Sequence, residues 1–287
     1  AVQMVLNLVE PQSSGIGGGA FLMYFNNQTK AFTAYDGRET APAAATENYL
    51  RWVSATDQTV PKPNARSSGR SIGTPGVLHM LDSVHKDAGR LSWKELFEPA
   101  IQVATDGFKI SPRMSASVAG SATSLQRDPD AKAYFLNADG TAKAAGTLLK
   151  SPALATTYKA IADGGIQAFY SGPIAQDIVA KIADTTGGIT PGLTTEADLA
   201  AYRSKKREAI CTTYRSKYLV CGMPPPTSGG LAIAQTLGIL ENFSDLPSLA
   251  PTAMDINGGR PQAAAVHLIA EAERLAYADR DKYVADT

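Results

Sequence analysis

Residues 15–42 read Gly15-Ile16-Gly17-Gly18-Gly19-Ala20, then Phe21-Leu22-Met23-Tyr24-Phe25, a turn, and Ala31-Phe32-Thr33-Ala34-Tyr35-Asp36-Gly37-Arg38-Glu39-Thr40-Ala41-Pro42. Consecutive glycines let the backbone adopt positive φ and approach other atoms closely. The two apolar runs predict a β-hairpin with its turn at residues 26–30. Because both faces of the first run are apolar, we expect other layers to cover both sides of it. This stretch therefore predicts two core strands bracketed by a glycine loop and a single arginine.

The glycine loop matches a dinucleotide-binding pattern, because Gly15, Gly17 and Ala20 satisfy G-x-G-x-x-G/A. That pattern works only in the order strand, loop, helix, since the pyrophosphate lies on the helix N-terminus. Here the loop follows an apolar segment at residues 2–9 that can form a helix, and it precedes strand-like residues. No Gly-Lys-Ser/Thr closes the run as a P-loop requires. The loop is therefore predicted to be structural, with its glycines allowing close packing at the start of a core strand.

The composition is that of a large folded domain with balanced charge. The chain has 287 residues, 44% of them apolar, with 27 basic and 27 acidic side chains. This balance gives no support for a nucleic acid or an acidic membrane surface as partner. No segment approaches the roughly 18 consecutive apolar residues of a membrane span. Since the chain has no repeats or low-complexity linkers, residues 1–287 are predicted to form one α/β domain. The N-terminus lacks Met and is expected to be that of a trimmed or mature fragment.

Local signals predict further helices and one further hairpin. Thr74-Pro75 is a suitable N-cap and first residue for a helix that runs to about Gly89. The capping box Ser92–Glu95 opens a helix that Pro99 is expected to kink or break and Gly107 to end. The remaining expectations are a solvated turn at Lys205–Arg207, a hairpin within 205–222, and helices at 231–240 and 262–284, the last largely buried.

The two cysteines, Cys211 and Cys221, are the only ones in the chain. A hairpin centred near Ser216 would place them roughly opposite each other. They could pack as two small buried hydrophobes, or they could form a cross-strand disulfide, which requires an oxidising compartment. Neither zinc-finger nor thioredoxin spacing is present, so no metal site is predicted on them.

Few side chains stand out as catalytic groups. The three histidines, His79, His85 and His267, lack metal-ligand spacing, and His267 reads as a structural residue. No Gly-x-Ser-x-Gly nucleophile elbow occurs. Arg38 is the strongest candidate, because it follows a strand at Gly37 and its guanidinium can bind a carboxylate bidentately. Taken by itself, it is better explained as a structural ion pair with Asp36, Glu39 or another carboxylate.

Several motifs resemble, in order and over nearly the whole chain, the large subunit of a gamma-glutamyltransferase. They are Val9–Gly19, Asp36–Pro42, Gly73–Gly76, Leu199–Tyr202, Met223–Gly230, Ile239–Phe243 and Ala276–Arg280. The resemblance implies that Arg38 binds the α-carboxylate of a gamma-glutamyl donor such as glutathione. It also implies an N-terminal-nucleophile hydrolase fold, a four-layer αββα sandwich completed by a separate small subunit cut from the same precursor.

The same resemblance implies that catalysis needs the partner chain. The nucleophile of the family is the N-terminal threonine of the small subunit, which has no counterpart in this sequence. Thr287 is expected to lie short of the processing site, so this chain is predicted to be inactive alone. No cofactor or metal is implied, and bacterial members are usually periplasmic or secreted.

Two other functions stay open at this point. A beta-lactam acylase of the same architecture would recognise a glutaryl side chain that lacks the α-amino group. A non-enzymatic binding module would account for the missing nucleophile. The residues that would separate a gamma-glutamyl from a glutaryl substrate are expected on the absent chain.

Overall fold

The computed structural model describes residues 1–251, 253–254, 256 and 258–285. The predicted Thr287 end of the domain is outside these residues. The helices are α1 (Val2–Val9), α2 (Val77–Ala88), α3 (Glu98–Asp106), α4 (Pro112–Leu125), α5 (Pro129–Phe135), α6 (Pro152–Gly164), α7 (Gln167–Tyr170), α8 (Gly172–Ile182), α9 (Glu196–Ala201), α10 (Gly229–Leu240) and α11 (Ala263–Tyr283). Four of them carry a proline in the first turn behind a Ser or Asp N-cap, namely α4, α5, α6 and α8.

The strands form three small sheets. They are β1 (Ala20–Asn26), β2 (Ala31–Gly37), β3 (Phe108–Lys109), β4 (Leu148–Leu149), β5 (Lys205–Arg207), β6 (Ile210–Tyr214) and β7 (Tyr218–Gly222). One sheet has the order β1-β2-β5, and the other two are the pairs β3-β4 and β6-β7. The hairpins predicted at residues 21–35 and within 205–222 are both confirmed.

The chain divides into two compact units, the first being residues 1–20 and 37–204. Its core lies among α1, α3, α6 and α7, where Phe97, Tyr158 and Phe169 are almost fully buried. The Tyr158 hydroxyl donates to the Met4 carbonyl at 3.0 Å and accepts from the Asn7 amide at 3.2 Å. Burial raises the pKa of Tyr158 to about 12, so it stays a neutral phenol that joins α6 to α1.

The second unit comprises residues 21–36 and 205–287. Here α10 packs against both α11 and the β6-β7 hairpin. Close approach depends on Gly222 and Gly230, since a Cβ on Gly222 would meet the Cα of Gly230 at 2.5 Å. The single domain predicted for residues 1–287 stays a prediction.

The capping box that precedes α3 forms as predicted, and the helix is broken just before Pro99, where a kink or break is expected. The Glu95 carboxylate accepts from the Ser92 N–H at 2.7 Å, and Ser92 Oγ accepts from the Glu95 N–H at 3.3 Å. This box closes a 3₁₀ turn at Lys94–Leu96, and α3 starts anew with Pro99 in its first turn. Gly107 ends α3 with φ of 96°, as a C-terminal glycine does.

Helix α2 begins later than the sequence predicts. Thr74 and Pro75 do not start it; Gly76 is the N-cap. The Thr74 backbone instead pairs with Thr40, accepting at 3.3 Å and donating at 2.8 Å. A long-range bridge therefore takes the residues that local propensity assigned to the helix.

Lys205–Arg207 is a strand rather than the predicted solvated turn. It pairs antiparallel with β2, with Ala34 opposite Arg207 and Asp36 opposite Lys205. Arg207 reaches the buried Asp36 carboxylate, with Nε 2.8 Å from Oδ2. The basic run is therefore held at a sheet edge by one buried anion.

Helix α11 was predicted to be largely buried, and this prediction is wrong. Only small residues of the helix are buried, namely Ala265, Ala272 and Ala276. Large apolar side chains such as Val266, Leu275 and Tyr277 are at least half exposed. Apolar content predicted burial, but the side chains that α11 buries are alanines, and its Asp279 carboxylate accepts a hydrogen bond from Gln235 of α10. Strand β1 was predicted to be covered by other layers on both faces, but most of its side chains are only half-buried.

Candidate functional site

The turn at residues 36–40 is packed from one side by the glycine loop. A Cβ built on Gly19 would lie 2.5 Å from the Gly37 carbonyl oxygen and 2.6 Å from Glu39 Oε2. Real Cβ atoms do not approach so closely, so only glycine fits there. The predicted structural role of the glycine loop thus has a specific geometric basis at Gly19.

The same turn is packed from another side by the Gly73–Gly76 motif. A Cβ on Gly73 would meet Glu39 Cβ at 2.8 Å, and one on Gly76 would overlap the Gly37 carbonyl and the Tyr202 hydroxyl. That hydroxyl donates to the Arg38 carbonyl at 2.8 Å. Four stretches that are distant in sequence therefore meet at Arg38.

Backbone hydrogen bonds tie these stretches together. The Gly18 carbonyl accepts from the N–H groups of Gly76 at 3.0 Å and Val77 at 3.1 Å. These are donors at the start of α2 that have no partner within the helix. The glycine loop thus caps α2 and fixes it against the Arg38 turn.

The Arg38 side chain lies at the surface of this unit. Its side chain is 59% exposed, and Nε lies 3.8 Å from Glu39 Oε2. At this distance and exposure the ion pair is weak. Asp36, the other candidate partner in the motif, is paired with Arg207. The backbone of Arg38 is held by these packing contacts, while its side chain lies half-exposed at the surface.

Arg38 lines a cavity of about 300 Å³ that also contains a second arginine, Arg70. Tyr49 and Ile72 contribute apolar walls to this cavity. Sequence reasoning passed over Arg70 because it lies in a turn-rich stretch without a helical or strand pattern. The neighbouring glycine at position 69 was the available signal, since it marks a tight backbone approach.

A second concavity, of about 650 Å³, lies over the glycine loop and is lined by Gly15, Gly17–Ala20 and Glu39. Arg113 is on its rim, with Nη1 2.8 Å from Oε2 of Glu10. Glu39 lines both this cavity and the one at Arg38. The Glu39 carboxylate therefore separates the loop from the arginine.

The histidines do not form a catalytic group in the described residues. His79 Nδ1 lies 2.8 Å from Ser204 Oγ and accepts from the Ser204 N–H at 3.2 Å. Burial lowers the pKa of His79, and the charge of Arg203 lowers it further. His85 contacts the Leu91 carbonyl at 2.8 Å. His267 is exposed in this chain, and the structural role predicted for it stays a prediction.

Cys211 and Cys221 face each other in the β6-β7 hairpin and are joined by a disulfide. Among the described residues, no group of three or more His, Cys, Asp or Glu side chains could hold a metal ion. In the same part of the chain, no helix is long and apolar enough to cross a membrane.

Comparison with known proteins gives the same answer at three levels. The family model for gamma-glutamyltranspeptidase matches residues 1–287. The glutathione hydrolase proenzyme of Bacillus subtilis is 33% identical over 286 residues, covering all of this chain and 45% of that protein. The acylase ACY 1 proenzyme of Pseudomonas sp. is 32% identical over 98% of this chain and 48% of its own length.

The crystal structure of Helicobacter pylori gamma-glutamyltranspeptidase superposes with a TM-score of 0.85 at 31% identity, covering 99% of this chain and 76% of that one. This match confirms the predicted α/β fold of the N-terminal-nucleophile hydrolase class. The chain spans about half the length of the curated relatives it matches. With the family model, the sequence relatives and the fold in agreement, the chain belongs to the gamma-glutamyltranspeptidase family.

Proposed function

We propose that this chain is most of the large subunit of a gamma-glutamyltransferase that moves the gamma-glutamyl group of glutathione and related donors to water or an amine. The observation that carries the proposal is the Arg38 turn. Its backbone is fixed by Gly19, Gly76 and Tyr202, and its half-exposed guanidinium lines a cavity. This arrangement suits an α-carboxylate, because a fixed arginine offers two parallel donors to two oxygens.

The remaining catalytic groups would come from a small subunit that completes the αββα sandwich. The N-terminal threonine of that subunit attacks the γ-carbonyl carbon, and its own α-amino group takes the hydroxyl proton. The amide C–N bond breaks, and the proton passes to the leaving amine. Water or an amine acceptor then attacks the resulting ester, and the threonine oxygen regains a proton.

In this mechanism Arg38 positions the donor and does not touch the scissile bond. Holding the α-carboxylate places the γ-carbonyl at a fixed distance along the glutamyl chain, which lowers the entropic part of the barrier. Glu39, 3.8 Å from Arg38 Nε, limits the directions that the guanidinium can take. We further propose a periplasmic or secreted location, which the Cys211–Cys221 disulfide supports.

The test is Arg38→Ala in the processed two-chain enzyme, assayed with a chromogenic gamma-glutamyl anilide. We expect KM to rise and kcat/KM to fall by a factor that corresponds to about 1.5–3 kcal/mol, the range for hydrogen bonds to charged groups. Arg38→Lys should recover part of the loss, since it keeps the charge without the planar fork. Arg90→Ala, at an exposed arginine of the same unit, is the matched control. Unchanged kinetics in Arg38→Ala would refute the assignment.

A glutaryl or beta-lactam acylase is the second candidate, favoured by the 32% identity to the ACY 1 acylase proenzyme. Both activities need a carboxylate at Arg38, but only the transferase needs the α-amino group of the donor. Parallel assays with gamma-glutamyl and glutaryl anilides separate them. If the two-chain protein turns over neither anilide, the result favours the non-enzymatic binding module.

A further inference from the structure

Arg70 is a buried cation whose backbone is fixed by its neighbours. It lies in a 3₁₀ turn, Gly69–Ser71, where Ser68 Oγ accepts from the Arg70 N–H at 3.3 Å. A Cβ on Gly69 would overlap the backbone of Gly192, so the turn is pressed against the 190–192 segment. The Arg70 side chain thus starts from a backbone position that cannot easily move.

Among the described residues, the guanidinium of Arg70 has fewer hydrogen-bond partners than donors. The residue is only 8% exposed. Nη2 donates to the Val53 carbonyl at 2.6 Å, and the guanidinium carbon lies 4.6 Å from the centroid of the Tyr49 ring. Nε is buried without a hydrogen-bond partner. Among the described residues, no carboxylate forms an ion pair with Arg70.

A buried arginine without an anion is energetically costly. Burial removes water from a permanent charge, and a ring face together with one carbonyl replaces only part of that hydration. Such groups are normally paired with a carboxylate or phosphate. The buried charge of Arg70 therefore favours binding of an anionic ligand.

Arg70 lies where a ligand can reach it. It lines the 300 Å³ cavity that holds Arg38, and it also lines an adjoining cavity of about 500 Å³. Tyr49 is shared by both cavities, and its hydroxyl accepts from the Leu193 N–H at 2.9 Å, which fixes the ring. Trp52 adds an aromatic wall to the larger cavity. Cavities of this size hold small ligands.

We propose that Arg70 binds a second carboxylate of the reacting molecules, that of the amino acid or peptide joined to, or accepting, the gamma-glutamyl group. This inference rests on the proposed function. Arg38 holds the α-carboxylate of the donor, and a second arginine on the same cavity wall suits a second acid group. The aromatic and aliphatic walls of the larger cavity suit the chain between the two carboxylates.

The carboxylate has two sources, the leaving part of the donor and the acceptor. The experiment uses Arg70→Gln in the processed two-chain enzyme, with Arg66→Gln as the matched control at an exposed arginine four residues earlier. Three donors are compared: glutathione, its C-terminal amide and a gamma-glutamyl anilide. Two acceptors are compared in the transfer step: glycylglycine and its amide.

A selective effect of the carboxylate supports the proposal. If the leaving part binds, Arg70→Gln lowers kcat/KM for glutathione by at least about tenfold, as expected for a lost charge-assisted pair. The amide and the anilide are then unaffected. If the acceptor binds, the KM for glycylglycine rises to a similar extent and that for its amide does not.

Equal losses with all donors would show a structural role and overturn the proposal, as would no loss at all. If Arg70→Gln does not mature, Arg70→Lys replaces it in the same series. Wild-type enzyme must also discriminate glutathione from its amide, or glycylglycine from its amide, and failure to do so overturns the proposal. Absence of anilide turnover in wild type and Arg66→Gln would instead remove the proposed function, and the Arg70 assignment with it.

Discussion

At the scale of single residues, the site depends on where a side chain is absent. Gly19 leaves room for both the Gly37 carbonyl and the Glu39 carboxylate, each within 2.6 Å of where its Cβ would be. The carboxylate tip could rotate away, but the carbonyl is part of a strand end and cannot. The position of the Arg38 turn thus depends on a glycine that precedes it by 19 residues.

Gly19→Ala is therefore expected to destabilise the protein by about 1–3 kcal/mol, the usual cost of forcing a group into a packed site. It should also raise KM, because the backbone that carries Arg38 must shift. Urea unfolding and steady-state kinetics measure the two effects. Gly17→Ala is the matched control, since nothing lies within 4 Å of its Cβ. Equal behaviour of the two variants would contradict this packing role.

His79 predicts a pH dependence of stability. Its pKa is lowered from 6.5 in the folded state, first by burial. The unfolded state therefore binds the proton more readily, and stability present above about pH 6.5 is lost as the pH falls through the lowered value. The free energy of unfolding should fall less between about pH 7.5 and about pH 5 in His79→Gln than in wild type. His267→Gln, at an exposed histidine, should follow wild type; a His79→Gln profile that also follows wild type would count against the prediction.

At the scale of elements, a long-range contact can give a segment a secondary structure that its local sequence does not predict. Lys205–Arg207 has the composition of a solvated turn, yet it extends the β1-β2 sheet because β2 offers an open edge and a buried Asp36. The β6-β7 hairpin is different, since its register follows from its own short turn.

The disulfide closes this hairpin, with a sequence separation of 10 between the two cysteines. In the chain-entropy account a loop of this length contributes about 2–3 kcal/mol. In urea unfolding, the double variant Cys211→Ser/Cys221→Ser should have a free energy of unfolding lower than wild type by about that amount. In the wild-type protein, mass spectrometry should find alkylation of both cysteines only after reduction. Two labels without reductant would show that the bond does not form.

At the scale of the whole molecule, we propose that this chain supplies a binding turn and that a partner chain supplies the nucleophile. The curated relatives it matches are about twice as long, and their names describe them as proenzymes. The exposed apolar side chains of α11 also differ from those of a fully buried helix. These facts support the proposal that a second chain completes the enzyme.

We expect the isolated chain to release no product from a gamma-glutamyl anilide, and co-production with the small subunit to restore turnover. The reason is that, in the proposed mechanism, the attacking hydroxyl and its amino base both belong to the N-terminal threonine of the partner. A small subunit with that threonine replaced by alanine is the control and should remain inactive. Turnover by the isolated chain would show that the nucleophile lies elsewhere.

Local physics in the sequence was enough for most elements. The Ser92–Glu95 capping box, the terminating Gly107 and the two hairpins depend on neighbours within a few residues, so their patterns predict them directly. Arg38 was also found from sequence, because a motif in a strand-to-turn context carries the family resemblance. Its role as a carboxylate ligand stays a prediction.

Tertiary contacts decided the rest, because they join residues that are far apart in the chain. Thr74 pairs with Thr40 instead of capping α2, and Arg207 becomes a strand residue opposite β2. The burial of α11 depends on which helix meets it, which hydrophobicity does not encode. Arg70 is the clearest case: nothing in its local sequence shows that folding buries its charge beside Arg38 without an anion.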